Sequence, residues 1–160
     1  MLPFLQYVLV LFLTYGGIYV GVLLALVARD ELKIKKYYSL VRYFIYLVIA
    51  LYTLAIFAHS PLLIAFFMLL VGMTIFVVRP PDYVMYPVLA GIFYISTVEF
   101  AVFFAQSLLI FLVGFPIGTL FVIEKKWTSK KKYKEAFLRL NSYYASYLLL
   151  GLLLYFIGPL

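Results

Sequence analysis

Cysteine is absent from this chain of 160 residues, and histidine occurs once, as His59. Without cysteine the chain can form no disulfide, no thiolate metal site and no cysteine-based active site. A single histidine is too few for the histidine clusters that bind zinc and similar metals. We therefore expect no metal and no cofactor, and we interpret His59 as a solvated turn residue.

Charge is also scarce. Only 12% of the residues are charged, 68% are hydrophobic, and the mean hydropathy is +1.14. Soluble domains usually carry about 25% charged and about 45–50% apolar residues. A small soluble domain leaves much of its surface exposed, so it could not hide this much apolar area from water. The composition predicts an all-α, polytopic transmembrane helix bundle with no soluble domain.

The apolar runs set the number of spans, because one helical crossing needs roughly 20 apolar residues. The run from Tyr43 to Val78 is too long for one crossing, and we divide it at His59-Ser60-Pro61, since Ser60 suits a helix cap and Pro61 suits the first turn of the next helix. The run from Tyr83 to Ile123 must also turn, and Gln106-Ser107 divides it more evenly than Ser96-Thr97. We predict about six spans, at approximately residues 3–28, 38–58, 61–78, 83–105, 107–123 and 139–158.

All thirteen lysine and arginine residues lie in three stretches, 29–42, 79 and 125–139. Six spans place these stretches on one side of the membrane, whereas five spans would divide them. Cytoplasmic loops carry an excess of lysine and arginine, so we expect this side to be cytoplasmic and both termini to lie outside.

The last basic stretch interleaves lysines with aromatic side chains. It suits anionic lipid headgroups on the cytoplasmic surface, although the same charge could serve only to fix the topology. A basic and aromatic composition is also found in RNA-binding segments, but we do not expect a nucleic-acid partner. The candidate lipid contacts are Lys125, Lys126, Lys130, Lys131, Lys132 and Lys134.

Glu99 is the one acidic residue inside an apolar run. A carboxylate within a membrane is costly and marks a possible ion or proton pathway. Glu99 is thus a candidate relay group. The alternative is a carboxylate wetted at the outer interface, where it would have no functional role.

Small residues recur at helical spacing in two spans. They allow two helix backbones to approach closely, either within one chain or between copies in a homo-oligomer. Proline removes a helix hydrogen bond, so Pro116 should also kink its span. The packing candidates are Gly17, Gly21 and Ala25 in the first span and Gly114, Pro116 and Gly118 in the fifth.

The sequence has none of the common motifs of nucleotide-binding loops, zinc hydrolases or serine hydrolases. We expect a non-enzymatic structural or accessory subunit of a membrane assembly. Its partners would be the bilayer and either another membrane protein or further copies of itself. The alternative is a small proton- or cation-coupled transporter or channel that uses Glu99.

Overall fold

A computed structural model describes residues 3–27, 35–57, 81–124 and 133–157, with the side chains of residues 57 and 133–136 left out. These residues form five α-helices and one short 3-10 turn, and no strand occurs among them. The predicted third span, residues 61–78, and His59 lie outside the described residues. The elements are α1 (Phe4–Val27), α2 (Lys35–Phe57), α3 (Asp82–Ile95), the 3-10 turn (Ser96–Val98), α4 (Phe100–Glu124) and α5 (Tyr133–Ile157).

The prediction of an all-helical bundle is confirmed for the described residues. Four of the helices are long and apolar enough to cross a membrane, judged by length and composition. Helix α3 is apolar but shorter, with 14 residues. It begins directly after the extended Pro81 with Asp82 in its first turn, where a negative charge is favourable next to the positive end of the helix dipole.

The break between α3 and α4 lies at Ser96–Glu99. The Ser96 hydroxyl donates to the Phe93 carbonyl and the Thr97 hydroxyl to the Tyr94 carbonyl, each three residues back. Such bonds compete with the regular helical ladder, and the chain tightens here into the 3-10 turn. Glu99 then adopts an extended backbone before α4 begins.

The predicted turn at Gln106-Ser107 is therefore wrong, and so is the division into spans 83–105 and 107–123. Helix α4 runs through both residues without interruption. Ser107 remains helical and donates to the Phe103 carbonyl at 2.6 Å. The side-chain nitrogen of Gln106 donates a hydrogen bond to Thr53 of helix α2 at 2.8 Å. Polar residues that find such partners inside the bundle do not mark a turn.

Three polar contacts show which helix ends lie together. Lys35, at the start of α2, pairs with Glu124 at the end of α4, with 3.1 Å between Nζ and Oε1. Arg42 of α2 pairs with Asp82, the first residue of α3. Tyr19, in the second half of α1, bonds to Asn141 near the start of α5. We call this the basic end, because every described helix end next to a basic stretch lies there.

The opposite end gathers the start of α1 and the end of α5, where Phe4 packs against Tyr155 and Phe156. Helices α1 and α4 run parallel, since Gly17 faces Phe111 and Gly21 faces Phe115. Helix α5 runs antiparallel to α1. The core between the helices is largely aromatic, and its fully buried large side chains include Tyr7, Tyr46, Tyr86, Tyr147 and Phe93.

Candidate functional site

The most polar cluster in the described bundle joins α2 to α3 near the basic end. The Arg42 guanidinium lies 2.5 Å from Asp82 Oδ2, and the two side chains are only 12% and 13% exposed. The Tyr46 hydroxyl donates to the other carboxylate oxygen, Oδ1, at 3.3 Å. A charged group is costly to bury unless it is paired, and here each charge has its counterion. The pair therefore ties α2 to α3.

Tyrosines continue the polar cluster into the bundle. The Tyr86 ring lies 5.2 Å from the Tyr144 ring and 5.1 Å from the Tyr147 ring, between centroids. Tyr147 forms a 2.7 Å hydrogen bond with the Thr14 hydroxyl. Because Thr14 donates its own proton to the Leu11 carbonyl, the Tyr147 hydroxyl is the donor. The hydrogen bond ties α5 to α1, and the ring contacts pack α5 against α3.

Asn141 of α5 accepts hydrogen bonds from two further hydroxyl groups of α1. Its Oδ1 atom accepts a hydrogen bond from Tyr15 at 3.1 Å and a second from Tyr19. At the opposite end of α5, the Tyr7 hydroxyl donates to the Gly151 carbonyl at 2.7 Å. Most buried polar side chains thus bond within the chain. In the described residues three buried polar atoms have no hydrogen-bond partner, namely Arg42 Nε, Tyr86 Oη and Gln106 Oε1.

Four glycines bring the backbones of α1 and α4 into direct contact, and we call Gly17, Gly21, Gly114 and Gly118 the glycine seam. A Cβ added at Gly17 would lie 2.1 Å from the Phe111 carbonyl oxygen, and one at Gly118 would lie 2.1 Å from the Ile18 oxygen. The Thr119 hydroxyl also crosses the seam and donates to the Gly21 carbonyl at 3.1 Å. The predicted packing residues of the first and fifth spans therefore meet each other within one chain.

The two remaining packing candidates are also buried. Ala25 is 2% exposed, and Pro116 lies within α4 on its buried side. Pro116 does not interrupt the helix, which continues from Phe100 to Glu124. Gly17 and Gly21 cannot form a contact between two copies of the chain, because α4 already covers their face of α1.

Beyond the glycine seam, toward the opposite end, α1 and α4 enclose a lateral groove of about 580 Å³. The groove lies between the first half of α1 and the first half of α4. Its lining is almost entirely apolar and consists of Gln6, Leu9, Val10, Leu13, Thr14, Phe100, Phe103, Phe104, Ser107, Leu108 and Phe111.

Glu99 lies at the break before α4 and is exposed. Its carbonyl accepts the hydrogen bond from the Phe103 amide that opens the helix. A carboxylate just before a helix start is favoured by the helix dipole. The relay role and the alternative of a wetted interfacial carboxylate both stay predictions.

The predicted lipid contacts are only partly placed by the structure. Lys125, Lys126, Lys130, Lys131 and Lys132 lie outside the described residues, and Lys134 lies in α5 with its side chain left out. Lys35 and Glu124 form an exposed pair at the basic end. Within the described part of the chain, no group of three histidine, aspartate or glutamate side chains is arranged to hold a metal ion.

Sequence reasoning missed the pairing of Arg42 with Asp82 and the role of Asn141. Arg42 and Asp82 are 40 residues apart in the sequence, so their spacing alone does not indicate that they pair. A usable signal existed, because each is the charge that directly borders an apolar run. A comparison of the chain with protein families, curated proteins and solved structures finds no match.

Proposed function

We propose that the chain is an integral membrane protein of six spans, with the basic end in the cytoplasm. Four apolar helices of sufficient length support membrane insertion. Helix α2 ends at the opposite end while α3 begins at the basic end, and a crossing by residues 61–78 would connect them. The basic stretches adjoin helix ends that lie together, which agrees with the rule that lysine and arginine remain cytoplasmic.

We further propose that it is a non-enzymatic structural or accessory subunit. The observation that supports this most directly is the character of the groove, which is apolar and opens to the side of the bundle. A transport path would instead need polar groups facing a cavity near the membrane centre. The inner polar groups of this bundle, such as Arg42, Asp82 and Asn141, are engaged with each other or with tyrosines.

A subunit also needs outward surfaces for its partner. Helix α5 presents apolar side chains to the outside, and Leu149, Leu153 and Phe156 are between 53% and 74% exposed. Such a face can pack against lipid, against another membrane protein or against a second copy of the chain.

The test compares the particle in native membranes with the purified chain. Electrophoresis of gently solubilised membranes under native conditions should show a defined particle larger than one copy of the chain. The purified chain should form this particle alone only if the partner is a second copy. Liposomes holding the purified chain should pass protons and cations no faster than empty liposomes. A chain that is monomeric in both settings, or a clear flux, would contradict the subunit proposal.

The alternative function is a small proton- or cation-coupled transporter or channel. Its support is that Glu99 lies at a helix break, a feature that transporters use to build ion sites. The test compares proton and cation flux in liposomes that hold either the wild type or the Glu99→Gln variant. Flux from the wild type that the glutamine variant loses would favour transport over the subunit proposal.

A further inference from the structure

The lateral groove arises where the glycine seam stops. Gly17 and Phe111 are in backbone contact. Nearer the opposite end the only glycine of α1 is Gly16, where an added Cβ would meet nothing within 4 Å, so no glycine contact keeps the two helices together there. Larger residues, including Leu13 and Leu108, then face the space between the helices. The groove is therefore closed by the seam near the middle of the bundle.

The lining offers almost no free polar group. Thr14 and Ser107 line the groove, but their hydroxyls donate to the Leu11 and Phe103 carbonyls of their own helices. Leucine and phenylalanine side chains form the remaining walls, and several of them are exposed by half or more. This surface suits a hydrocarbon ligand.

The dimensions of the groove favour a single hydrocarbon chain over a helix as its occupant. The groove extends from Gln6 to Thr14 on α1 and from Phe100 to Phe111 on α4, which is roughly 12 and 16 Å at about 1.5 Å per residue. That is about half of the roughly 30 Å hydrocarbon thickness, or one leaflet. A helix is about 10–12 Å wide with its side chains, so the groove volume would hold only about one helical turn.

We infer that this groove binds one acyl chain of a phospholipid from the leaflet at the opposite end. The inference rests on the membrane placement proposed above. Gln6 is exposed and belongs to the outermost turn of the groove. Its amide can donate to and accept from a headgroup or ester oxygen, while the tail extends toward the seam.

The test fills the groove from both walls with Leu13→Trp and Leu108→Trp together. These leucines are 63% and 50% exposed, so added bulk does not strain the core. The matched control is Leu149→Trp with Leu153→Trp on α5, where the leucines are 68% and 53% exposed and do not line the groove. Each protein is reconstituted in dioleoylphosphatidylcholine, extracted in mild detergent and weighed by native mass spectrometry.

We expect one phospholipid to remain on the wild type and on the control, and about tenfold less on the groove variant, a difference of about 1.4 kcal/mol in binding. The wild type alone gives a second measurement, since phosphatidylcholine with six-carbon tails should be retained about tenfold less than the dioleoyl lipid. The inference would be overturned if the groove and control variants retained equal amounts of phospholipid, or if the wild type retained the two lipids equally.

Three other outcomes can be told apart. Loss of a dimer mass in the groove variant alone would assign the groove to a second copy and contradict the acyl chain. Extraction of the wild type from membranes by alkaline carbonate would contradict the membrane placement itself. Retention in carbonate-washed membranes together with no bound phospholipid would refute only the groove.

Discussion

The glycine seam allows a sharp comparison between two neighbouring glycines of α1. In Gly17→Ala the new Cβ would lie 2.1 Å from the Phe111 carbonyl oxygen, more than 1 Å inside the 3.4 Å at which ordinary contact begins. That oxygen belongs to backbone and cannot rotate away, so α1 and α4 must separate. Gly16→Ala meets nothing within 4 Å and serves as the matched control.

The expected effects have opposite signs. Overpacking a tight contact costs about 1–3 kcal/mol, and separation of the helices also weakens the bond from Thr119 to the Gly21 carbonyl. Alanine in a helix interior gains about 0.5–1 kcal/mol over glycine. Gly17→Ala should therefore lose about 1 kcal/mol overall, which is the difference between the middles of these two ranges, whereas Gly16→Ala should be neutral or slightly stabilising.

The assay is thermal or dodecyl sulfate unfolding of the purified chain in mild detergent, followed by circular dichroism. Gly17→Leu combined with Gly21→Leu should have a larger effect than the single alanine, because longer side chains enter the same contact. The reasoning is refuted if Gly17→Ala unfolds at the same point as Gly16→Ala or at a higher one.

Two further variants test the polar groups. Asp82→Asn should lower the free energy of unfolding by about 2–3 kcal/mol, since it leaves the nearly buried charge of Arg42 without its counterion. Glu124→Gln, in the exposed pair with Lys35, should lower it by less than about 1 kcal/mol. The same unfolding assay compares the two variants, and equal losses would argue against a structural tie at Arg42. Glu99→Gln should leave the unfolding midpoint and liposome flux unchanged, because the carboxylate is exposed; a lower proton flux in this variant would contradict that expectation.

The helical character of the chain was predictable because membrane-length apolar runs leave few alternatives. Helices α1 and α2 begin and end within a few residues of the spans expected at 3–28 and 38–58. The closeness of Gly17 and Gly21 to another helix was also predictable from their spacing. Their partner was not, since spacing on one helix cannot say which second helix supplies Gly114 and Gly118.

The wrong turn has a clear physical origin. Gln106 and Ser107 were favoured because they are polar and divide the apolar run evenly. Both are buried, and their hydrogen bonds to α2 and to α4 itself remove the need for a turn. At Ser96 and Thr97 the hydroxyls also bond to carbonyls of their own helix, but there α3 ends and the chain tightens into the 3-10 turn. The sequence shows polarity at both places but not which partner each polar group finds.

The arrangement of all basic stretches on the cytoplasmic side of six spans is the central claim, and labelling tests it most directly. The absence of cysteine lets single probes be placed cleanly by Lys33→Cys, Ser60→Cys and Lys131→Cys. An impermeant thiol reagent applied to intact cells should label position 60 alone, and positions 33 and 131 should react only after the membrane is opened. Labelling of position 131 in intact cells, or equal labelling of positions 60 and 131, would contradict the account.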